Sequence, residues 1–290
     1  MDRRRFLAAG AAGAAGAAGM ALGVLPARLA GARAAPLKLA AQPERLERIG
    51  LQLYTVRQDM ERDLERTLDA VAQVGYQEVQ FFNYYGRSPA QIRAALDASG
   101  LVAPGAHIPY DTLGDRWDAM LEAALVMGHR YLLVAWIPGG ERSTLDGYRR
   151  IAQNFERAAE RARGAGILFA YHNHDYEFAR MEGRIPYDLL LQEASYLVKM
   201  EMDLFWITRG GGDPLAYFDA YPGRFHSVHV KDMDARGRMV DVGQGTIPFQ
   251  RIFARRRQAG IRHYFVEHDT PEVPLDSIRA SYQYLRDLEF

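Results

Sequence analysis

The sequence contains no cysteine, so neither a disulfide nor thiolate chemistry is available to it, and its stability has to come from a packed core. It has no surplus of either charge: 36 Lys and Arg balance 36 Asp and Glu over 290 residues. That balance is uneven along the chain, because residues 1–34 carry five Arg and one Asp and leave 31 basic against 35 acidic residues beyond them. A mildly acidic body of this kind offers no electrostatic footprint for nucleic acid or for anionic lipid. Also missing after the first strand run is any Gly-x-Gly-x-x-Gly or Walker-type loop, so dinucleotide and nucleoside triphosphate binding have no motif behind them.

What is present begins with Met1-Asp2-Arg3-Arg4-Arg5-Phe6-Leu7, followed by an uncharged Ala- and Gly-rich run to Leu25 and a small-residue stop at Ala32-Arg33-Ala34. A basic start, a mildly apolar run and small residues read as a secretory signal over 1–34, and the paired arginines point to the twin-arginine route. Read instead as a retained anchor, the same run would insert weakly, since Ala and Gly gain little from the bilayer. The expected location is therefore periplasmic, with no stable membrane association once the signal is removed. Cleavage after Ala34 leaves 256 residues, the usual length of one barrel of eight strand-helix units.

After a polar linker at residues 35–48, one pattern repeats: an apolar strand run with a polar end, a loop, an amphipathic helix, and a glycine. The strand runs are Ile49–Tyr54, Glu78–Phe82, Leu101–His107, Tyr131–Trp136, Ile167–His172, Leu197–Asp203, Phe225–Val230 and Tyr264–Glu267. Helical stretches fall between them at Leu64–Val74, Pro89–Ala98, Leu145–Arg163 and Phe249–Ala259. Ser88 before Pro89 is a helix start, and Gly75, Gly100, Gly128, Gly166 and Gly260 stand where helices stop. Strands alternating with helices pair in parallel, and eight such units close on themselves. The fold class is α/β, a single-domain (β/α)8 TIM barrel over residues 49–290. An open doubly wound sheet would read similarly, but has no nucleotide fingerprint to support it.

In such a barrel the chemistry sits at the C-terminal ends of the strands. Those ends are Gln52 and Tyr54, Glu78 and Gln80, His107, Trp136, His172 with His174, Asp203, His229 with Lys231, and Glu267. His172, Asp203, His229 and Glu267, from four consecutive strands, have the composition of a divalent-metal site. Mixed imidazole and carboxylate donors suit Mn, Co, Fe or Zn, whereas Mg and Ca prefer oxygen alone. Singly, each of these residues reads as well as a loop cap, a core histidine or an ion-pair partner. Glu201 shares parity with Asp203 one layer deeper, as support or as an internally paired charge. Lys231 shares parity with His229, so its ammonium faces either the mouth, where it could steady an enolate oxygen, or solvent. Asp269 reads as a turn cap, and His226, of opposite parity to His229, as packing outside the barrel. His107 could bond a sugar hydroxyl, and the cluster Phe81, Phe82, Tyr84 and Tyr85 could wall a sugar ring.

The run Tyr171-His172-Asn173-His174 with Glu177-Phe178, then Asp203-Leu204-Phe205-Trp206, Val228-His229-Val230-Lys231-Asp232, Val242-Gly243-Gln244-Gly245 and Val266-Glu267-His268-Asp269, resembles the sugar phosphate isomerase/epimerase family with the xylose isomerase-like barrel. The resemblance extends from about Ile49 to the C-terminus. It implies a single divalent ion held by Glu, Asp, His and Glu from strands five to eight, with the two glutamates moving the substrate proton. Asp203, His229 and Glu267 match three of those positions. His172 stands where the family has the first glutamate, so a two-glutamate proton shuttle does not carry over. The resemblance further puts Glu177 near a substrate-binding glutamate.

The expected activity is a metal-dependent sugar isomerase or epimerase working by proton transfer next to a carbonyl, through an enediolate that the ion stabilises. Glu267 is the expected base, with Lys231 or His174 as the second proton relay, and His107, Glu177, Tyr54 and Trp136 as substrate contacts. Expelling a β-substituent would instead make a lyase or hydratase of 3-keto-glycosides, and loss of metal would leave a sugar-binding protein. The expected partner is a small sugar or keto-glycoside, unphosphorylated because sugar phosphates are scarce outside the cytoplasm, and no nucleic acid. Assembly into a homo-oligomer is left open.

Overall fold

The computed structural model describes residues 43–290, so the expected signal and the linker up to residue 42 lie outside the described residues. Eight parallel strands form a closed barrel: β1 Gly50–Gln52, β2 Glu78–Phe81, β3 Val102–Ile108, β4 Tyr131–Val134, β5 Leu168–His172, β6 Lys199–Asp203, β7 Phe225–Val230 and β8 His263–Val266. Each pairs with its neighbours in chain order, and β8 closes onto β1 through Gly50↔Phe265 and Leu51↔Val266. The period-2 pattern explains the layering. Leu51, Val79, Leu132, Phe169, Val228 and Val266 join the apolar core, while alternate positions such as Gln52, Gln80, His107, Glu201 and His229 share one hydrogen-bonded cluster.

The helices follow from their own spacing. Leu145–Gly164 buries Tyr148, Ile151, Ala152, Phe155, Ala159 and Ala162, which recur every three or four residues, and Thr144 caps it by accepting from the Gly147 N–H. Ser88 and Gln91 close a reciprocal capping box ahead of Pro89–Ser99. All five glycines expected at helix ends have positive φ. At Gly75, φ is +120° and an added Cβ would stand 2.5 Å from the Tyr282 ring, so neither backbone nor space admits a side chain.

The boundaries differ from expectation in places that bear on the site. β1 stops at Gln52 and turns into a 3₁₀ segment, Leu53–Val56, because the Gln52 side chain accepts from the Tyr54 N–H. β4 stops at Val134 and β8 at Val266, so Trp136 and Glu267 both lie in loops. The expected helix Phe249–Ala259 divides into Phe249–Phe253 and Arg256–Ala259. Glu44, inside the expected linker, exchanges two backbone hydrogen bonds with Phe290. His226 is buried and does not simply pack outside the barrel: its Nδ1 lies 3.1 Å from the hydroxyl of Tyr131, the first residue of β4. The Val242-Gly243-Gln244-Gly245 motif wraps the buried Asp232 carboxylate, which accepts from the N–H groups of Gly243, Gly245 and Ile247. An added Cβ at Gly245 would lie 2.2 Å from Asp232 Oδ1.

Candidate metal centre

The C-terminal ends of the strands open into a cavity of about 730 Å³, lined by the polar residues His172, His174, Lys231, Glu267 and Asp269 and by the aromatic residues Tyr54, Phe82, Tyr110 and Trp136. Tyr54, Trp136 and His107, expected as substrate contacts, all line it, and Trp136 is 53% exposed at its edge.

Asp203 ends β6 and caps the helix Leu204–Arg209: its Oδ1 accepts from the Trp206 N–H at 2.8 Å, and its own N–H donates to Asn173 Oδ1 at 3.1 Å. The cap fixes the carboxylate so that Oδ2 is buried and accepts no hydrogen bond, although Lys231 Nζ stands 3.1 Å away. Burial raises the Asp203 pKa to about 6 against the opposing pull of Lys231 and His229. One donor atom each from Asp203, His229 and Glu267 lies within 4.8 Å of the others. His172 Nε2 is 3.7 Å from Asp203 Oδ2, but the ring falls outside this group of three and shares its own group with His107, Glu201 and His229.

An unbonded buried carboxylate oxygen beside two imidazoles and a second carboxylate is the donor set that a divalent ion of the Mn, Co, Fe or Zn type satisfies. Asp203, His229 and Glu267 therefore fit such an ion chemically, with His172 beside Asp203 as the fourth donor at hand.

Two features were not legible in the strand ends. Lys231 is buried and its ammonium is ringed by carboxylates: Asp203 Oδ2 at 3.1 Å, Glu267 Oε2 at 2.8 Å and Asp269 Oδ1 at 2.8 Å. Burial by itself would lower its pKa, but these three groups hold it raised, so in the metal-free protein it is a positive charge rather than a base. Asp269, read as a turn cap, is one of its partners. The second feature is a buried polar hub beneath the mouth, where Glu201, Gln80, Gln52 and Ser227 meet His107, His172 and His229. Of these, His172 and His229 were expected as ligands, His107 as a substrate contact and Glu201 as support or a paired charge, while Gln52 and Gln80 stood at strand ends with no role and Ser227 was not singled out. Gln and Ser at inward strand positions are the signal that could have found the rest.

His229 stands between two carboxylates, with Nδ1 2.6 Å from Glu267 Oε2 and Nε2 3.0 Å from Glu201 Oε1. Burial works against its charge, yet Glu201 and Glu267 raise its pKa to about 10. Burial likewise works to raise Glu267, but Lys231 and His229 hold it well below the usual carboxylate range. His174 lines the cavity, stacks on Tyr176 at 5.4 Å and has a buried Nδ1 with no partner; burial, then the charge of Lys231, lowers its pKa to about 3. Glu177, expected at the substrate, is a correction. It is fully buried, bonded to the Tyr171 hydroxyl and to the His174 N–H at 3.0 Å, and outside the cavity lining, so it braces the loop after β5.

A family profile described as xylose isomerase-like TIM barrel matches residues 68–288. An inosose dehydratase from Lacticaseibacillus casei is 23% identical over 189 residues, 58% of this chain, and the match spans 63% of the length of that curated relative. Among solved structures, a sugar phosphate isomerase/epimerase from Parabacteroides distasonis has a TM-score of 0.75 at 24% identity, covering 83% of this chain and 98% of its own. The IolI protein, solved with a zinc atom bound, has a TM-score of 0.64 at 12% identity over 81% of this chain and 95% of its own. Profile, barrel and mouth agree, and the chain belongs to the xylose isomerase-like TIM barrel family.

Proposed function

We propose that the protein is a divalent-metal-dependent enzyme that removes and returns a proton at the carbon beside a carbonyl of a small sugar, an isomerase or epimerase. The observation that carries this reading is the convergence of the unbonded Asp203 Oδ2, His229 and Glu267, with His172 3.7 Å from Asp203, at the mouth of a cavity that also holds His174 with an unpartnered Nδ1 and a fixed ammonium. An ion held by these four residues would supply Lewis acidity to a carbonyl and its neighbouring hydroxyl. Glu267, kept ionised, faces the cavity and takes the proton. Lys231 stays charged and steadies the negative oxygen that develops. Of the two relays expected, Lys231 stays charged, and His174, neutral with a free Nδ1, is the one able to accept a proton and hand it back. Returning the proton to the opposite face epimerises, and returning it to the next carbon isomerises.

The test is deuterium uptake from D₂O by a panel of ketoses and keto-glycosides. Uptake without fragmentation, abolished by chelation and restored by Mn²⁺, is the expected result; no exchange by metal-loaded protein with any of them would reject it. A second reading, a lyase of the dehydratase kind, is favoured by the inosose dehydratase match, and loss of water or aglycone in the same assay would identify it. We further propose export to the periplasm, resting on residues 1–34, and hence an unphosphorylated substrate. Equal rates on a sugar and its phosphate ester fit this, and a strict phosphate requirement would count against it.

A further inference from the structure

Glu201 lies on β6, one layer below the mouth, with no exposed surface. Its Oε1 is 2.7 Å from His107 Nε2, 3.2 Å from His172 Nδ1 and 3.0 Å from His229 Nε2. Its Oε2 accepts from Gln80 Nε2 at 2.8 Å and from the Ser227 hydroxyl at 2.7 Å.

The surrounding amides determine which ring nitrogens carry hydrogen. Because Gln80 donates Nε2 to Glu201, its Oε1 is turned toward His229 Nε2 at 2.7 Å, and it also accepts from Gln52 Nε2 at 2.7 Å. A nitrogen facing two acceptor oxygens is an N–H, so His229 donates downward through Nε2; its Nδ1 also donates to the Glu267 carboxylate in the metal-free protein, and that is the proton an ion would displace. His172 follows the same logic. Its Nδ1–H goes to Glu201, leaving Nε2 toward Asp203 Oδ2.

His107, His172, Glu201 and His229 also bring one donor atom each within 4.8 Å, as a second ion site would. One observation decides against that: His229 Nε2 cannot ligate while it donates to Gln80.

We infer that Glu201 is a positioning residue: from beneath the barrel mouth it fixes the ring orientation and tautomer of His172 and His229, so that each presents an unprotonated nitrogen to the ion. The inference rests on the metal reading above. Without this carboxylate both rings lose the bond that selects one face, and the loss expected when such a partner of a ligating histidine is removed is about 10–100-fold in metal affinity.

Long-range ¹⁵N–¹H spectra of histidine-labelled, Zn²⁺-loaded protein read the tautomers directly. His172 is expected as the Nδ1–H form and His229 as the Nε2–H form; the opposite form of either ring overturns the inference. Glu201→Gln keeps the side chain's shape but has one acceptor oxygen. Folded by circular dichroism, it should bind Zn²⁺ about 10–100-fold more weakly in chelator competition, and unchanged affinity overturns the inference. Ser227→Ala removes a bond on the far oxygen only. It should lower Tm and leave Zn²⁺ affinity unchanged, and an equal affinity loss would mean general packing and overturn the inference. If Glu201→Gln does not fold, the wild-type spectra decide. If the wild type takes up neither Zn²⁺ nor Mn²⁺, the metal reading fails, and the His172 tautomer in the metal-free protein still decides this one: Nδ1–H supports it and Nε2–H overturns it.

Discussion

Asp203 and Lys231 make opposite demands on the same few ångströms. Asp203 spends one oxygen on a helix cap and leaves the other unbonded, while the ammonium of Lys231 stands among Asp203, Glu267 and Asp269 where an ion would also be attracted. Asp203→Asn should abolish the Tm gain on adding Mn²⁺ and lower kcat at least about 100-fold, since it removes a ligand outright rather than a ligand's support. Lys231→Met leaves three buried or half-buried carboxylates without their cation, and a buried pair broken on one side costs about 3–5 kcal/mol. Urea unfolding of the metal-free variant should register that loss, and Mn²⁺ should recover most of it by supplying the missing positive charge. At this scale the sequence was informative about which strand ends carry donors. It was silent on Lys231's three partners, because all three come from another strand or from the loop after β8.

At the level of elements, the loop after β7 shows how a motif that looks catalytic is architectural. Val242-Gly243-Gln244-Gly245 exists to give backbone N–H groups to Asp232, and Gly245 is glycine because a methyl there would meet Asp232 Oδ1 and the Met233 carbonyl. Gly245→Ala should destabilise the protein by about 1–3 kcal/mol, the usual cost of overpacking, with a lower urea midpoint. The strand periodicity located all eight barrel strands, and the glycine stops behaved as expected. Where the boundaries moved, at Gln52, Val134 and Val266, a side-chain bond or the end of pairing with a neighbour stopped the strand. Local sequence does not encode where a neighbour ends. Glu177 was misread for a related reason: whether the loop after β5 turns its carboxylate toward the cavity or toward the Tyr171 hydroxyl is set by packing, not by parity.

For the whole molecule, the proposed metal centre would couple ion binding, protonation and stability. His229 titrates near 10 in the metal-free protein, against about 6.5 unfolded. A raised pKa means stability that is fully present below pH 6.5 and is lost as pH rises through about 10. Unfolding followed across that window should show the decline in metal-free protein. It should be flattened in metal-loaded protein, where the ring has already given up its proton. Calorimetric titration of Mn²⁺ at pH 8, where Asp203 with a pKa of about 6 is already ionised, should release about one proton, read from enthalpies in buffers of different ionisation heat. At a free ion concentration 100 times Kd the gain is about 2.7 kcal/mol, which for a domain of this size is a Tm rise of roughly 5–11 °C.

The sequence by itself determined the barrel and the chemistry available at its mouth, because strand and helix periods are local and residues at strand ends inherit their position from them. Only the tertiary structure decided how those groups are used. Whether Lys231 is free or ringed, and whether Glu201 supports three imidazoles or none, depends on strands up to 149 residues apart meeting across a closed barrel, and on which layer each side chain reaches once the strands are staggered.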